Sequence, residues 1–264
     1  MYDFAYQKPA NIADAAAVLS SDSDAKALAG GQTLIPVLKQ RLNKPTTVVD
    51  LSKLGLVGIT VTGDSVTIGA MTNHATVAAS VEVKRAIPAL AALAGGIGDI
   101  QVRNRGTIGG SVANHDPSAC YPSAILALGA TITTNKRSIA ADEYFQGMFT
   151  TALGDGEIIT SVSFPIPSKA AYVKFKNPAS RYAMVGVFVA NGPNGVRVAV
   201  TGAGQGGVFR HKAAEAALSS NWSAAALAGV SIPADNMNSD IHASAPYRAH
   251  LVGVVTKRAV TAAG

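Results

Sequence analysis

Two short glycine-centred stretches hold the residue types in this 264-residue sequence that could do chemistry, and both suit an anionic ligand. The first is Ala29-Gly30-Gly31-Gln32-Thr33-Leu34-Ile35-Pro36. Paired glycines let the backbone take positive φ and come close to a ligand. A strand signal leads into them and a helix signal follows, so the next N–H groups converge on one point, where the helix N-terminus favours a phosphate. Gln32 and Thr33 could add side-chain donors. The second stretch is Arg105-Gly106-Thr107-Ile108-Gly109-Gly110-Ser111-Val112-Ala113-Asn114, with hydroxyls on both sides of the glycine pair and Arg103 just upstream. Glycines inside β-rich sequence often mark a close backbone approach. The polar set extends through His115, Asp116 and Ser118 to Cys120. Each stretch alone reads equally as chain punctuation or a solvated turn, but an extended dinucleotide lying between two lobes would need both.

Neither stretch is G-x-x-x-x-G-K-[ST], nor G-x-G-x-x-G opening a parallel βαβ unit, which argues against an ordinary kinase, NTPase or Rossmann dehydrogenase. Cys120 is the single cysteine, so an internal disulfide is impossible and a cysteine-ligated iron–sulfur cluster or structural zinc is not expected. His74, His115, His211, His242 and His250 lie far apart without i,i+4 spacing, and no metal is expected. The net charge of +6 is dispersed, which fits an affinity for anions or an acidic partner better than nucleic acid. Hydrophobic residues at 48% and charged residues at 14% suit either a compact small-residue monomer or a subunit with large protein contacts. Met1-Tyr2-Asp3-Phe4 has no signal-peptide pattern and no apolar stretch reaches membrane-spanning length, so the expected compartment is the cytoplasm.

The elements that must position these stretches fall into three groups. Residues 1–57 read as a small α/β unit: a helix over 12–19 after Pro9, a strand at 27–29, a helix over 34–41 and a strand at 47–50. From 58 to 167 short strands alternate with turns. Residues 58–61 and 65–68 flank Gly63-Asp64, a hairpin signal, and helices are expected over 72–79, 88–93 and 123–128. Strands are expected at 107–108, 111–112, 130–134 and 157–164, and Pro165-Ile166-Pro167 closes the region. From 168 to 264 come strands at 172–176, 184–191 and 196–202, then helices around 210–218 and 245–260, suggesting a separate α+β domain.

The pairing of AGGQTLIP near residue 30 with TIGGSVAN near residue 110 resembles the medium, FAD-binding subunits of the xanthine dehydrogenase and carbon monoxide dehydrogenase family, the molybdenum hydroxylases. The similarity runs from Tyr2 nearly to the end, where Ala245-Pro246-Tyr247-Arg248 looks like the family's closing helix. The resemblance implies an α+β fold. A two-lobed FAD-binding domain of the vanillyl-alcohol-oxidase (PCMH) type, residues 1–167, would precede a small C-terminal domain, 168–264, with a three-stranded sheet and helices. It implies that Ala29, Gly30, Gly31, Gln32, Thr33 and Leu34 form one pyrophosphate loop, and Thr107, Gly109, Gly110 and Ser111 the other. Ile97 would lie beside the flavin, Ile158 would contact the cofactor, and Lys176 would reach it from the C-terminal domain. Tyr182, in Arg181-Tyr182-Ala183, matches the tyrosine of a D-Y-A segment near the isoalloxazine ring.

Two positions depart from the family pattern. Cys120 stands where an acidic residue often holds a cofactor hydroxyl, and a thiol is a poor acceptor, so Asp116, four residues earlier, would have to serve; Asn114 is also expected at the cofactor. Arg181 replaces the usual acid before the tyrosine, altering the charge beside the flavin. The implied role is electron transfer: FAD here, [2Fe-2S] clusters on a small subunit, and the molybdenum cofactor and substrate site on a large one, assembled as a dimer of heterotrimers. No residue of this chain need act as acid or base on the organic substrate. A self-contained flavin oxidoreductase using His74 or His115 as base, and a scaffold protein that has lost FAD, stay open as alternatives.

Overall fold

The computed structural model describes residues 1–264. The first lobe is a parallel three-stranded sheet in the order β1-β3-β2, built from β1 (Ala5–Gln7), α1 (Ile12–Ser21), β2 (Lys26–Leu28), α2 (Leu34–Lys39) and β3 (Thr47–Asp50). Asn11 starts α1, its side chain accepting the Asp14 N–H at 2.9 Å. The β-branched run of β3 is buried along its whole length, and Val49 packs with Ala15 and Leu51 in the lobe's small core, to which Ile158 of the second lobe adds.

The second lobe is a five-stranded antiparallel sheet, order β4-β5-β10-β6-β7, with helices against it. Its elements are β4 (Ile59–Thr62), β5 (Ser65–Gly69), α3 (His74–Ala79), α4 (Val81–Ala86), α5 (Pro88–Gly95), α6 (Ile100–Arg105), α7 (Ile108–Asn114), α8 (Tyr121–Leu128), β6 (Thr131–Thr134), β7 (Ser138–Ala140), α9 (Ala141–Tyr144) and β10 (Ile159–Pro165), with a small β8 (Phe145–Gly147) and β9 (Thr150–Thr151) hairpin. The β4–β5 hairpin turns at Gly63, whose φ of +52° only a glycine adopts freely. The strands expected at 107–108 and 111–112 are instead the helix α7. Thr107 sits in extended geometry as its cap, accepting the Gly110 N–H at 3.1 Å. Gly109 packs so tightly on Ala70 that an added Cβ would lie 2.6 Å from the Ala70 Cβ. The glycine pair thus allows helix-to-strand contact, and propensity yields to packing.

The C-terminal unit contains β11 (Lys169–Lys176), β12 (Ala183–Gly192), β13 (Gly195–Thr201), β14 (Phe209–Arg210), α10 (Lys212–Ser220) and α11 (Ala245–Ala263). Its sheet has four strands in sequential order rather than the three expected. The fourth, β14, is two residues long and follows Gly206-Gly207, too short to show a period. The central β12 is buried on both faces. Val185, Val187 and Val189 face a core shared with α10 and α11, whereas Phe188 and Ala190, with Ala199 of β13, join the second lobe's core of Ile68, Leu90, Ile125 and Phe164. Polar contacts reinforce this junction. The buried Arg197 donates from Nε to the Leu126 carbonyl (2.7 Å) and from Nη2 to Asp142 (2.6 Å), while the Thr201 hydroxyl and the Gly202 N–H meet the Pro117 carbonyl at 2.9 and 2.7 Å.

Replacing Arg197 by Ala leaves the Leu126 carbonyl with only the longer 3.2 Å bond from the Gly129 N–H, and Asp142 with one guanidinium partner fewer. The expected cost is about 2–3 kcal/mol of unfolding free energy, read as a shift of the urea midpoint at unchanged slope.

Candidate functional site

The two glycine stretches meet. Gly30, from the first lobe, lies against the backbone of the second: an added Cβ would overlap the Arg105 carbonyl oxygen and stand 2.7 Å from the Gly106 Cα. From the other side, a Cβ on Gly110 would reach the Ala29 Cβ at 3.4 Å. Only residues without side chains let the two chain segments approach this closely. The bend itself needs a left-handed residue, supplied by Gly31 at φ +73°.

The two loops differ in what they offer. In the first, the N–H groups of Gly30, Gly31, Gln32, Thr33 and Leu34 find no acceptor in the chain; the first bonded amide is that of Ile35, to the Gly31 carbonyl. Five consecutive unsatisfied donors at a helix start are suited to a phosphate. In the second loop the chain uses the amides itself: Ile108 N–H donates to Thr72, Gly109 to Ala70, Gly110 to the Thr107 hydroxyl and Ser111 to the Thr107 carbonyl. That loop therefore offers hydroxyls and close approach rather than amides.

Between the loops lies a cavity of about 560 Å³ walled by both lobes and by β11. Its lining includes all but one of the residues expected from sequence: Ala29 to Leu34, Ile97, Thr107, Gly109, Gly110, Ser111, Asn114, Asp116, Cys120, Ile158 and Tyr182. Ile158 is almost fully buried and also belongs to the first lobe's core. The exception is Lys176, which lines a separate cleft, while Lys174 faces the cavity. The β11–β12 pairing shifts register between Phe175 and Lys176, which breaks the even alternation a strand reading assumes. Lys174 donates from Nζ to the Gly96 carbonyl at 2.7 Å and lies 3.5 Å from the Cys120 Sγ. Nothing marked Lys174 over Lys176 in the sequence, since two lysines two residues apart share a face until a bulge intervenes.

His74 also lines the cavity. It is buried against Tyr121 (ring centroids 5.3 Å apart), its Nδ1 has no partner, and burial, helped by the Arg103 charge, lowers its pKa to about 4. His115 does not line the cavity; its Nδ1 is 3.1 Å from the Thr150 carbonyl, and burial lowers its pKa as well. Both rings are neutral structural groups at neutral pH. Tyr182 is exposed at the cavity mouth, its hydroxyl pKa raised by partial burial and by the Asp116 and Asp99 carboxylates. No cluster of His, Cys, Asp or Glu has metal-binding geometry.

Comparison with known proteins agrees with this architecture. Residues 2–167 match a family model described as the FAD binding domain in molybdopterin dehydrogenase. The nicotine 6-hydroxylase medium subunit of Paenarthrobacter nicotinovorans is 37% identical over 98% of this chain and 96% of that one. The carbon monoxide dehydrogenase medium chain of Afipia carboxidovorans is 34% identical over 97% and 95%. A solved structure, the reconstituted CO dehydrogenase from Oligotropha carboxidovorans, superposes with a TM-score of 0.89 at 33% identity, covering 99% of this chain and 97% of its own.

The His74 environment sets a pH dependence. The unfolded chain takes up a proton on this ring near pH 6.5, the folded one only near pH 4, so the unfolded state binds more protons in between and stability falls on acidification through that window. The span corresponds to about 3 kcal/mol. Urea unfolding between pH 6.5 and 4 should show the wild type losing about that much more stability than His74→Gln.

Proposed function

Since the chain belongs to the family of FAD-binding subunits of molybdopterin dehydrogenases, we propose that the cavity between the lobes is its FAD site, with the pyrophosphate held where the glycine stretches meet. The chain is the FAD-binding medium subunit of a heteromeric molybdenum hydroxylase, an oxidoreductase component that accepts electrons from iron–sulfur clusters of a small subunit and passes them to a terminal acceptor. The molybdenum cofactor resides on a large subunit. Bound flavin supplies the redox chemistry, converting between one-electron and two-electron transfer.

The residues present fit that cofactor. The five free amides of residues 30–34 would donate to the phosphate oxygens, and a helix start adds to the attraction. The Thr107 and Ser111 hydroxyls would bond it from the other lobe. Asn114 and Asp116 supply polar groups where Cys120, a weak acceptor, replaces the family's usual acid. Ile97 and Ile158 offer apolar surface to the ring system, and Tyr182 stands at the mouth. Lys174 is the lysine of the C-terminal unit best placed to touch the cofactor. The single observation that carries this reading is the run of unsatisfied amides facing a cavity that two lobes close.

The division into an FAD-binding domain over 1–167, with subdomains about 1–57 and 58–167, and a C-terminal domain over 168–264 is supported by the extent of the family match and by the three larger sheets, one in each part. Exposed apolar side chains at Ile100, Met148, Phe149 and Ile241 favour large contacts, and a dimer of heterotrimers working in the cytoplasm is the assembly we favour. No helix is long and apolar enough to cross a membrane.

Gentle purification should give a yellow chain with one FAD, reduced only when the small and large subunits and substrate are supplied. A colourless chain that takes up no added FAD would sink the reading, and reduction by an organic donor alone would favour a self-contained oxidoreductase. Gly30→Val wedges the lobes apart and should abolish FAD retention. In fluorescence titrations Lys174→Ala should weaken FAD binding about tenfold or more, and Lys176→Ala should leave it nearly unchanged.

A further inference from the structure

The segment 95–98 that walls the flavin cavity has a second face. Behind it opens a cleft of about 470 Å³, lined by three glycines of that wall, by Asn177 and Pro178, and by the cations Arg103, Lys176 and Arg181. Pro178 is the one apolar side chain in its lining, and no carboxylate lines it. None of the three cations has an ion-pair partner within 4 Å anywhere in the chain. The nearest acid in sequence, Asp99, is engaged at the start of α6, accepting the Val102 N–H at 2.8 Å. Arg103 spends only Nη1 on the wall, donating to the Ile97 and Gly98 carbonyls at 3.0 and 3.3 Å, and its other N–H groups stay free.

Like charges gathered in one concavity repel unless an anion joins them. The two guanidinium forks match phosphate oxygens, and the glycine backbone leaves room for them. The loop carrying Arg181 is fixed in advance. Arg181 holds a left-handed φ of +62°, its N–H bonds the Asn177 carbonyl at 2.9 Å, the Asn177 N–H returns to the Tyr182 carbonyl at 2.8 Å, and the Asn177 side chain accepts from Ala179 and Ser180. The cleft and the cavity share the wall: Lys174 grips Gly96 from the cavity side, Arg103 grips Ile97 and Gly98, Gly98 lines both spaces, and Tyr182 follows Arg181 directly. A protein partner would favour an apolar or aromatic contact centre, which this cleft lacks, so a small molecule suits it better.

We propose that this cleft is an anion site that takes the phosphate or pyrophosphate group of a small molecule and so places that molecule one backbone thickness from the flavin. The placement beside a flavin rests on the reading of the larger cavity as the FAD site; the anion site itself does not.

The test uses the full chain saturated with FAD, so that the glycine stretches are occupied, and titrates it calorimetrically with inorganic pyrophosphate and, separately, with adenosine diphosphate. One saturable site per chain is expected, weakening as salt rises. Arg181→Asp and Lys176→Gln should each weaken it about tenfold or more. Both side chains are at the surface, and FAD content with a thermal melt checks that the variants remain folded. Adenosine diphosphate binding more tightly than pyrophosphate identifies a nucleotide as the source of the phosphate, whereas equal affinity identifies free phosphate; either supports the site. No saturable heat with either compound, or equal affinity in wild type and both variants, overturns it. A chain that takes up no FAD overturns the reading of the larger cavity instead, and the Arg181→Asp comparison in that chain still judges the cleft.

Discussion

The contact between Gly30 and the Arg105–Gly106 backbone is the constraint on which the arrangement depends. Two lobes with unrelated sheets, one parallel and one antiparallel, are brought together at a point where no side chain fits. If the approach were looser, the free amides of the first loop and the hydroxyls of the second would not address the same ligand. If the first loop's donors were satisfied internally, as the second loop's are, the close approach would make a tight joint but no site. The asymmetry between the loops is therefore informative: one leaves its backbone donors free, and under the proposed reading the other would supply the surface against which the ligand is held.

Much of this was legible in the sequence, for reasons that differ by element. The hairpin across Gly63-Asp64 and the helices beginning at Pro88 and Ala245 follow from local rules and appear where those rules put them. The sixteen cavity residues found at their expected places come from two compact motifs plus family resemblance, and motifs survive because backbone geometry tolerates few alternatives. What local rules could not reach was anything decided by a neighbour distant in the chain. The 107–112 segment reads as β because Thr, Ile, Ser and Val surround the glycines, yet it is a helix packed on Ala70, whose closeness leaves no room for a side chain at Gly109. Lys174 displaces Lys176 at the cavity because a register shift against β12 lies between them. The short helices at 81–86 and 100–105 were missed, although Ser80 and Asp99 cap them in the ordinary way, because six residues show too little of a helical period.

The electrostatics of the cavity are those of a holder rather than a reactor. The buried His74 stays neutral at neutral pH, the Lys174 ammonium spends one of its donors on a backbone carbonyl, and the cavity's carboxylates serve largely local ends: Glu157 is paired with Arg137, which holds its pKa down near 2, and Asp116 accepts the Ser118 N–H. A site of this kind suits a subunit whose cofactor does the chemistry and whose electrons arrive from another chain.

The strand β12, buried on both faces, carries a consequence for how the molecule comes apart. Its valines belong to one hydrophobic cluster, and Phe188 and Ala190 to another that is mostly built by residues 66–164. Severing the chain near residue 167 would strip apolar cover from both pieces, so neither half is expected to persist alone as a well-ordered body. The boundary that is clear in topology is thus faint in cooperativity: these two parts should melt together.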